Sequence, residues 1–321
     1  MWPRRSLARS SRRADAGFTL SEVLVGLTIA SVVILGVGTS ITFVTRASTD
    51  HQARIQTQQN ERDAVGHITR VLRIAGACMP LSSQPPIASN FQPVGGTNGT
   101  NDSLTITANP RCAQAVVTTN CNNCSTISVD NTTNFQNGMW GFIVYNGTGQ
   151  YFSIQSVTGG APGSLTVSPS TPINTGLYPA TNSSVYGADQ RTFAISSTCA
   201  GCGGVPTLTL QTLMASAPQP LVPGVDTFKV QYILNRKYLT APTQCNAQTG
   251  GSPSLCVVNL PTLSPSIAGD WQLVRALTVT LDVRSTAAVR ASGSADGYFH
   301  VGETFEISPR NFLFPQSPGR F

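Results

Sequence analysis

The pattern of apolar and polar positions changes character twice along the chain. Residues 23–45, VLVGLTIASVVILGVGTSITFVT, carry no formal charge. Over residues 46–75 the pattern becomes one-sided: Val65, Ile68, Leu72 and Ala75 recur at spacings of three, four and three, and Val71 widens the stripe. That periodicity predicts an amphipathic helix. From residue 100 onward, apolar and polar residues alternate in short runs bounded by Gly, Pro, Asn and Ser, the pattern of half-buried strands.

The first two regions read as one helix of roughly 55 residues, well beyond the usual range of about 8–20 for a globular domain. Its apolar half, roughly 35 Å long at about 1.5 Å per residue, is long enough to cross a bilayer. Small residues within it, among them Gly26, Ser31, Gly36, Gly38 and Ser40, suit close helix–helix contact. Arg70 and Arg73 complement the helix dipole in the last turns. Gly76, with Pro80 beyond, is the predicted stop.

Strands are expected at 103–107 (SLTIT), 164–168 (SLTVS), 207–213 (TLTLQTL) and 298–307 (YFHVGETFEI). MWGFIVYN (139–146), GTGQ and YFSIQSV (151–157) read as a hairpin. The clearest alternation lies in 225–234, with Phe228, Val230, Tyr232 and Leu234 against Lys229 and Gln231, and in 275–285, with Leu277, Val279, Leu281 and Val283. Segments 80–100, 159–190 and 240–270 read as loops. The order implies an α+β fold: a long N-terminal helix whose outer half packs on an antiparallel sheet.

Composition refines this picture. Charged residues are 11% and apolar residues 40% of the chain, which excludes a disordered polyelectrolyte and suits a strand-rich extracytoplasmic domain. The net charge of +6 is a property of the first residues: Arg4, Arg5, Arg9, Arg12 and Arg13 face only Asp15. Beyond residue 17 there are 15 basic and 13 acidic residues. The basic flank therefore reads as a cytoplasmic anchor under the positive-inside rule, not as a nucleic-acid surface.

All eight cysteines, Cys78, Cys112, Cys121, Cys124, Cys199, Cys202, Cys245 and Cys256, follow the apolar run. Outside the cytoplasm an even set favours disulfides. Cys245–Cys256 and Cys78–Cys112 are the expected closures; Cys121–Cys124 and Cys199–Cys202 close locally or pair with each other. The alternative is zinc held by the two C-x-x-C units, Cys121, Cys124, Cys199 and Cys202. A thioredoxin-like role lacks a surrounding βαβ pattern.

Nothing in the sequence resembles a catalytic constellation, and no cofactor is expected. His51, His67 and His300 are scattered, and His67, four residues after Asp63, reads as part of a solvated pair. No nucleophile elbow, zincin, P-loop or dinucleotide fingerprint occurs. One carboxylate stands out. Glu22 heads the uncharged run, in GFTLSE. T-x-x-E is a capping-box pattern, but a cap accounts neither for the Arg-rich leader nor for a small Gly before a large Phe.

Together, GFTLSEVLVGLTIASVVILG (17–36) resembles the signal of type IV prepilins and pseudopilins. The resemblance implies cleavage between Gly17 and Phe18 by a prepilin peptidase and N-methylation of Phe18. It also implies that Glu22 neutralises the terminal amine of a neighbouring subunit, with Thr19 beside it in the assembly site and the Thr19 cap at most secondary. Major pilins carry a proline near the position of Thr39; here Gly36 and Gly38 are the only helix-weakening residues nearby. HITRVLRIAGAC (67–78), LVPGVDTFKVQYIL (221–234), VRALTVTLDVRS (274–285) and FEISPRN (305–311) resemble PilW-like minor pilins. The implied organisation is a cleaved leader (1–17), a transmembrane and assembly helix (18–45), its amphipathic continuation (46–76) and a disulfide-containing ectodomain (77–321). The implied partners are other minor pilins, the major pilin and the inner-membrane assembly platform, with the membrane itself before assembly. The rival readings are a J-like pseudopilin of type II secretion and a membrane-anchored zinc or redox domain.

Overall fold

The computed structural model describes residues 19–79, 94–146, 148–174, 176–213, 215, 217–235, 255–259, 274–289 and 294–309. Among the described residues a single helix, α1 (Leu20–Arg73), is followed by β1 (Val94–Thr97), β2 (Ser103–Ala108), β3 (Gln114–Val116), β4 (Cys121–Asn122), β5 (Thr126–Val129), β6 (Trp140–Tyr145), β7 (Thr148–Gly159) and β8 (Gly163–Val167). Then come β9 (Leu177–Tyr178), β10 (Ser184–Ser196), β11 (Thr207–Thr212), β12 (Gln219–Pro223), β13 (Val225–Asn235), β14 (Leu255–Asn259), β15 (Val274–Arg284) and β16 (His300–Ile307). The arrangement is α+β with antiparallel pairing throughout.

The chain divides into two compact units, one ending at Gln52 and the other starting at Ala53. In the first, α1 continues without a break past Gly36 and Gly38. Hydroxyls in this stretch donate to their own helix: Thr28 to the Val25 carbonyl (2.8 Å), Thr39 and Ser40 to that of Gly36 (both 2.9 Å), and Thr45 to that of Ile41 (2.8 Å). Each of these hydroxyls is thus satisfied without water.

In the second unit, α1 buries Ala64, Ile68, Val71 and Leu72, and Ala75 follows in the turn beyond it. The predicted stripe is correct in phase, with Ala64 rather than the half-buried Val65 at its centre. It packs against two sheets at once. Leu104, Ile106, Phe193 and Leu208 come from one; Phe228, Val230, Leu277, Val279, Leu281 and Val283 come from the other. Burying each of Ile68 and Leu72 contributes about 1.5–3 kcal/mol. The stop also lies where expected: Gly76 takes φ 69°, and its N–H donates to the Thr107 carbonyl of β2 at 2.9 Å.

The second sheet runs β14-β13-β15-β16, and its central pair registers Phe228 with Leu281, Val230 with Val279 and Tyr232 with Leu277. The two sequence runs with the clearest alternation therefore face each other. Leu234 has its backbone in β13, and its side chain lies outside the described residues.

The first sheet contains ten strands, along the path β1-β2-β10-β6-β7-β8-β5, with β3, β11 and β12 attached beside it. No strand was expected where its spine, β10, lies. The segment 159–190, expected as a loop apart from the strand at 164–168, holds that strand as β8 and also β9 and the first half of β10. Within β10, Ser184–Ala188 pair with β6, and Asp189–Phe193 pair with β2. Gly187, Asp189, Gln190 and Arg191 interrupt the alternation that would mark a strand, because β10 changes partners there and is covered on different faces. The expected loops at 80–100 and 240–270 likewise hold β1 and β14. In the 139–157 hairpin, Tyr145 already pairs with Thr148, so β7 starts ahead of the expected Tyr151. Asn146 takes the left-handed φ of 44°.

The segment between β2 and the second half of β10 builds its own core from Ile127, Val129, Ile143, Phe152, Ile154, Leu165 and Val185, among others. Gly141 is required there. Opposite Phe152 in register, it lies under the phenyl ring, and a Cβ would meet the ring at 2.5 Å.

Two buried polar residues lock these parts together. Asp102 accepts from the backbone N–H of Val230 (2.8 Å) and Gly99 (3.2 Å) and pairs with Lys229 (3.2 Å), joining the two sheets. Lys229 also donates to the Gly99 carbonyl. Asn109, fully buried, exchanges bonds with Ala113 (N–H to Oδ1 3.0 Å; Nδ2 to carbonyl 2.9 Å), and its own N–H reaches the Ala77 carbonyl at 2.9 Å. Replacing Asp102 with Ala strips the Val230 amide and the Lys229 ammonium of a buried partner. The expected loss is about 2–4 kcal/mol, read as a lower midpoint in denaturant unfolding of the full chain in detergent. A midpoint equal to wild type would remove Asp102 as the link between the sheets.

Candidate functional site

The helix head is built from three residues. Thr19 stands at the N-cap and Glu22 three positions on. The Thr19 N–H donates to Glu22 Oε2 (3.0 Å), the Glu22 N–H donates to Thr19 Oγ1 (3.3 Å), and the Thr19 hydroxyl also donates to Oε2 (3.1 Å). Ser21 Oγ lies 3.0 Å from the same hydroxyl. This is a complete reciprocal capping box, which the sequence reading had ranked below an assembly role. Both Thr19 bonds fall on one carboxylate oxygen. An ionised carboxylate offers about four acceptor positions, so capping leaves Glu22 able to accept a further donor. Gly17 and Phe18 lie outside the described residues.

Below this head, the helix presents apolar side chains on every side. None of Leu20–Val44 is buried, and Leu35 and Phe43 are 69% and 73% exposed. The stretch is long and apolar enough to cross a membrane. No other described residue covers this surface, and an apolar area of this kind suits lipid or another helix.

Six cysteines are described with their side chains. Cys78 and Cys112 are bonded, joining the end of the helix to the β2–β3 connection across a separation of 34 residues. Cys121–Cys124 and Cys199–Cys202 each close on themselves. Of the two alternatives for these units, local closure is therefore the one observed, and they do not gather four thiolates about one ion. Among the described residues no group of three or more His, Cys, Asp or Glu is arranged to hold a metal. Cys245 and the side chain of Cys256 lie outside the described residues.

The histidines differ from the sequence reading in one case. His67 and Asp63 are both exposed, with no ion pair between them. His300, by contrast, is held on both ring nitrogens, with Nδ1 3.0 Å from Asp282 and Nε2 2.9 Å from Asp296. Burial alone would lower its pKa, but hydrogen bonds and charge from Asp296 and Asp282 outweigh that and raise it above the usual range. Asp296 is held well below the usual carboxylate range by the Ser294 hydroxyl, the Tyr298 N–H and then His300. The sequence hid this cluster because Asp282 is 18 residues from His300, on the neighbouring strand.

The prokaryotic N-terminal methylation motif matches residues 12–38. No curated protein and no solved structure matches the chain. The matched motif supports a type IV pilin or pseudopilin class, whose members are structural proteins, and implies processing by a prepilin peptidase. With the apolar N-terminal helix, it is consistent with anchoring in the inner membrane.

The His300 cluster makes a signed pH prediction. Its raised pKa contributes stability that is complete below the unfolded value of about 6.5 and is lost as pH rises through the folded value. The Asp296 contribution disappears only in strong acid. Between about pH 6 and about pH 9, amide exchange at Tyr298 and Phe299, corrected for intrinsic rate, should quicken. The change should vanish in His300→Ala. Exchange unaffected by pH in the wild-type chain would disprove the clamp.

Proposed function

We propose that this chain is a minor pilin of a type IV pilus, similar to PilW-like proteins. In this reading it is cut between Gly17 and Phe18, methylated on Phe18, and incorporated into a low-copy complex that primes or caps the filament. The supporting observation is the methylation motif running directly into a helix whose apolar surface no other described residue covers. In this reading the function lies in helix packing and surface contacts. Roles in adhesion, motility or DNA uptake would fall to the β-rich ectodomain after export.

Within this reading Glu22 is the docking point. A carboxylate carried into the bilayer costs about 2.5–3.5 kcal/mol, and the cost falls if a neighbouring subunit supplies a cation. The methylated amine of Phe18 in the next subunit would meet the carboxylate oxygen that Thr19 leaves open. The partners are other minor pilins, the major pilin and the assembly platform. A J-like pseudopilin of type II secretion shares the same helix chemistry, and the genes flanking this one would distinguish the two.

The test pairs processing with assembly. Sequencing the mature N-terminus should give N-methylated Phe18, and any other terminus would end the proposal. Glu22→Ala should be inserted and cleaved as wild type, while its recovery in sheared filaments falls by at least about tenfold, the loss expected from roughly 1.4 kcal/mol or more of docking energy. Recovery equal to wild type would show that Glu22 does not dock subunits.

A further inference from the structure

The outer half of α1 has a second face, turned away from the buried stripe. Arg62, Gly66, Arg70 and Arg73 lie along it, all exposed. Together with Glu61 and Glu303 of the edge strand β16, they line an open groove of about 1050 Å³. A Cβ on Gly66 would meet nothing within 4 Å, so the groove is open at its middle. Among the described residues, none of the three arginines forms an ion pair.

The helix dipole accounts for cations in the last turn, where Arg70 and Arg73 stand. It does not account for Arg62, two turns earlier. Across the groove Glu303 of β16 faces Glu61 of α1, whose carboxyl is raised above its usual range by burial and by a hydrogen bond and charge from Glu303, with Arg62 opposing. Three arginines against two carboxyls leave the groove electropositive, with the carboxyl oxygens at one edge.

We propose that the groove between α1 and β16 binds an extended acidic segment of a partner polypeptide. Arg62 and Arg73 are about 16 Å apart along the helix axis, the length of about five residues of extended chain. Acidic side chains of such a segment meet the arginines through charge-assisted hydrogen bonds. Its backbone N–H groups meet the Glu303 side of the groove. A nucleic-acid backbone matches the arginines equally well, but offers no row of amide donors to the carboxyl wall. The inference concerns the ectodomain surface and does not depend on filament assembly.

The test uses the full chain in detergent and a fluorescein-labelled octapeptide of alternating Glu and Ser, followed by anisotropy. Binding is expected at low salt and should weaken as salt rises. Arg70→Ala with Arg73→Ala should weaken it by about tenfold or more, the effect of losing at least one charge-assisted bond. Arg111→Ala, an exposed arginine elsewhere on the chain, should leave it unchanged. Circular dichroism and the unfolding midpoint, measured on each variant, confirm that it is folded. Absence of wild-type binding, equal binding by the double variant, equal loss in Arg111→Ala, or tighter binding of an eight-nucleotide single strand would each overturn the assignment.

Discussion

The apolar half of α1 is covered by no other described residue, and its local bonding answers that constraint. Side chains such as Leu35 and Phe43 stand in the open, while the hydroxyls near them are satisfied locally. The Ser and Thr hydroxyls return to carbonyls of their own helix, and the first turn is closed by Thr19 and Glu22. A helix with its hydrogen bonds completed in this way can enter lipid or pack against a similar helix without leaving a polar group stranded. What it lacks is only lateral contact, which another molecule must supply.

Capping and docking at Glu22 are compatible for a geometric reason. The Thr19 bonds converge on Oε2, so the box orients the carboxylate while leaving its other oxygen free of Thr19. In the proposed filament the same side chain would begin its own helix and receive a neighbour's terminal amine. A charge held in place by its own backbone loses less entropy on meeting a partner.

The other half of α1 serves the opposite purpose. Its stripe is the common floor of two sheets, and Asp102 and Asn109 tie those sheets and the helix end together through buried hydrogen bonds. The strand β10 then carries the architecture outward. One stretch of it closes the helix-proximal core through Phe193, and the other closes a separate core through Val185. The long middle of the sequence is thus a folded addition to the first sheet.

The sequence alone determined whatever depends on neighbours along the chain. The uncharged run, the phase of the Ile68–Leu72 stripe, the stop at Gly76, the T-x-x-E cap and the two alternating strands β13 and β15 are all local patterns, and local backbone geometry was enough to read them. Tertiary structure decided whatever depends on residues far apart. β10 was missed because its faces are covered by different partners along its length, so no single period of two survives in SVYGADQRTFAIS. The His300 cluster and the α1–β16 groove were invisible for the same reason: Asp282 and Glu303 reach their places only through strand pairing. Sequence spacing could offer the cysteine pairings as alternatives, but local closure of each C-x-x-C unit required the chain to fold and bring one pair of sulfurs together rather than another.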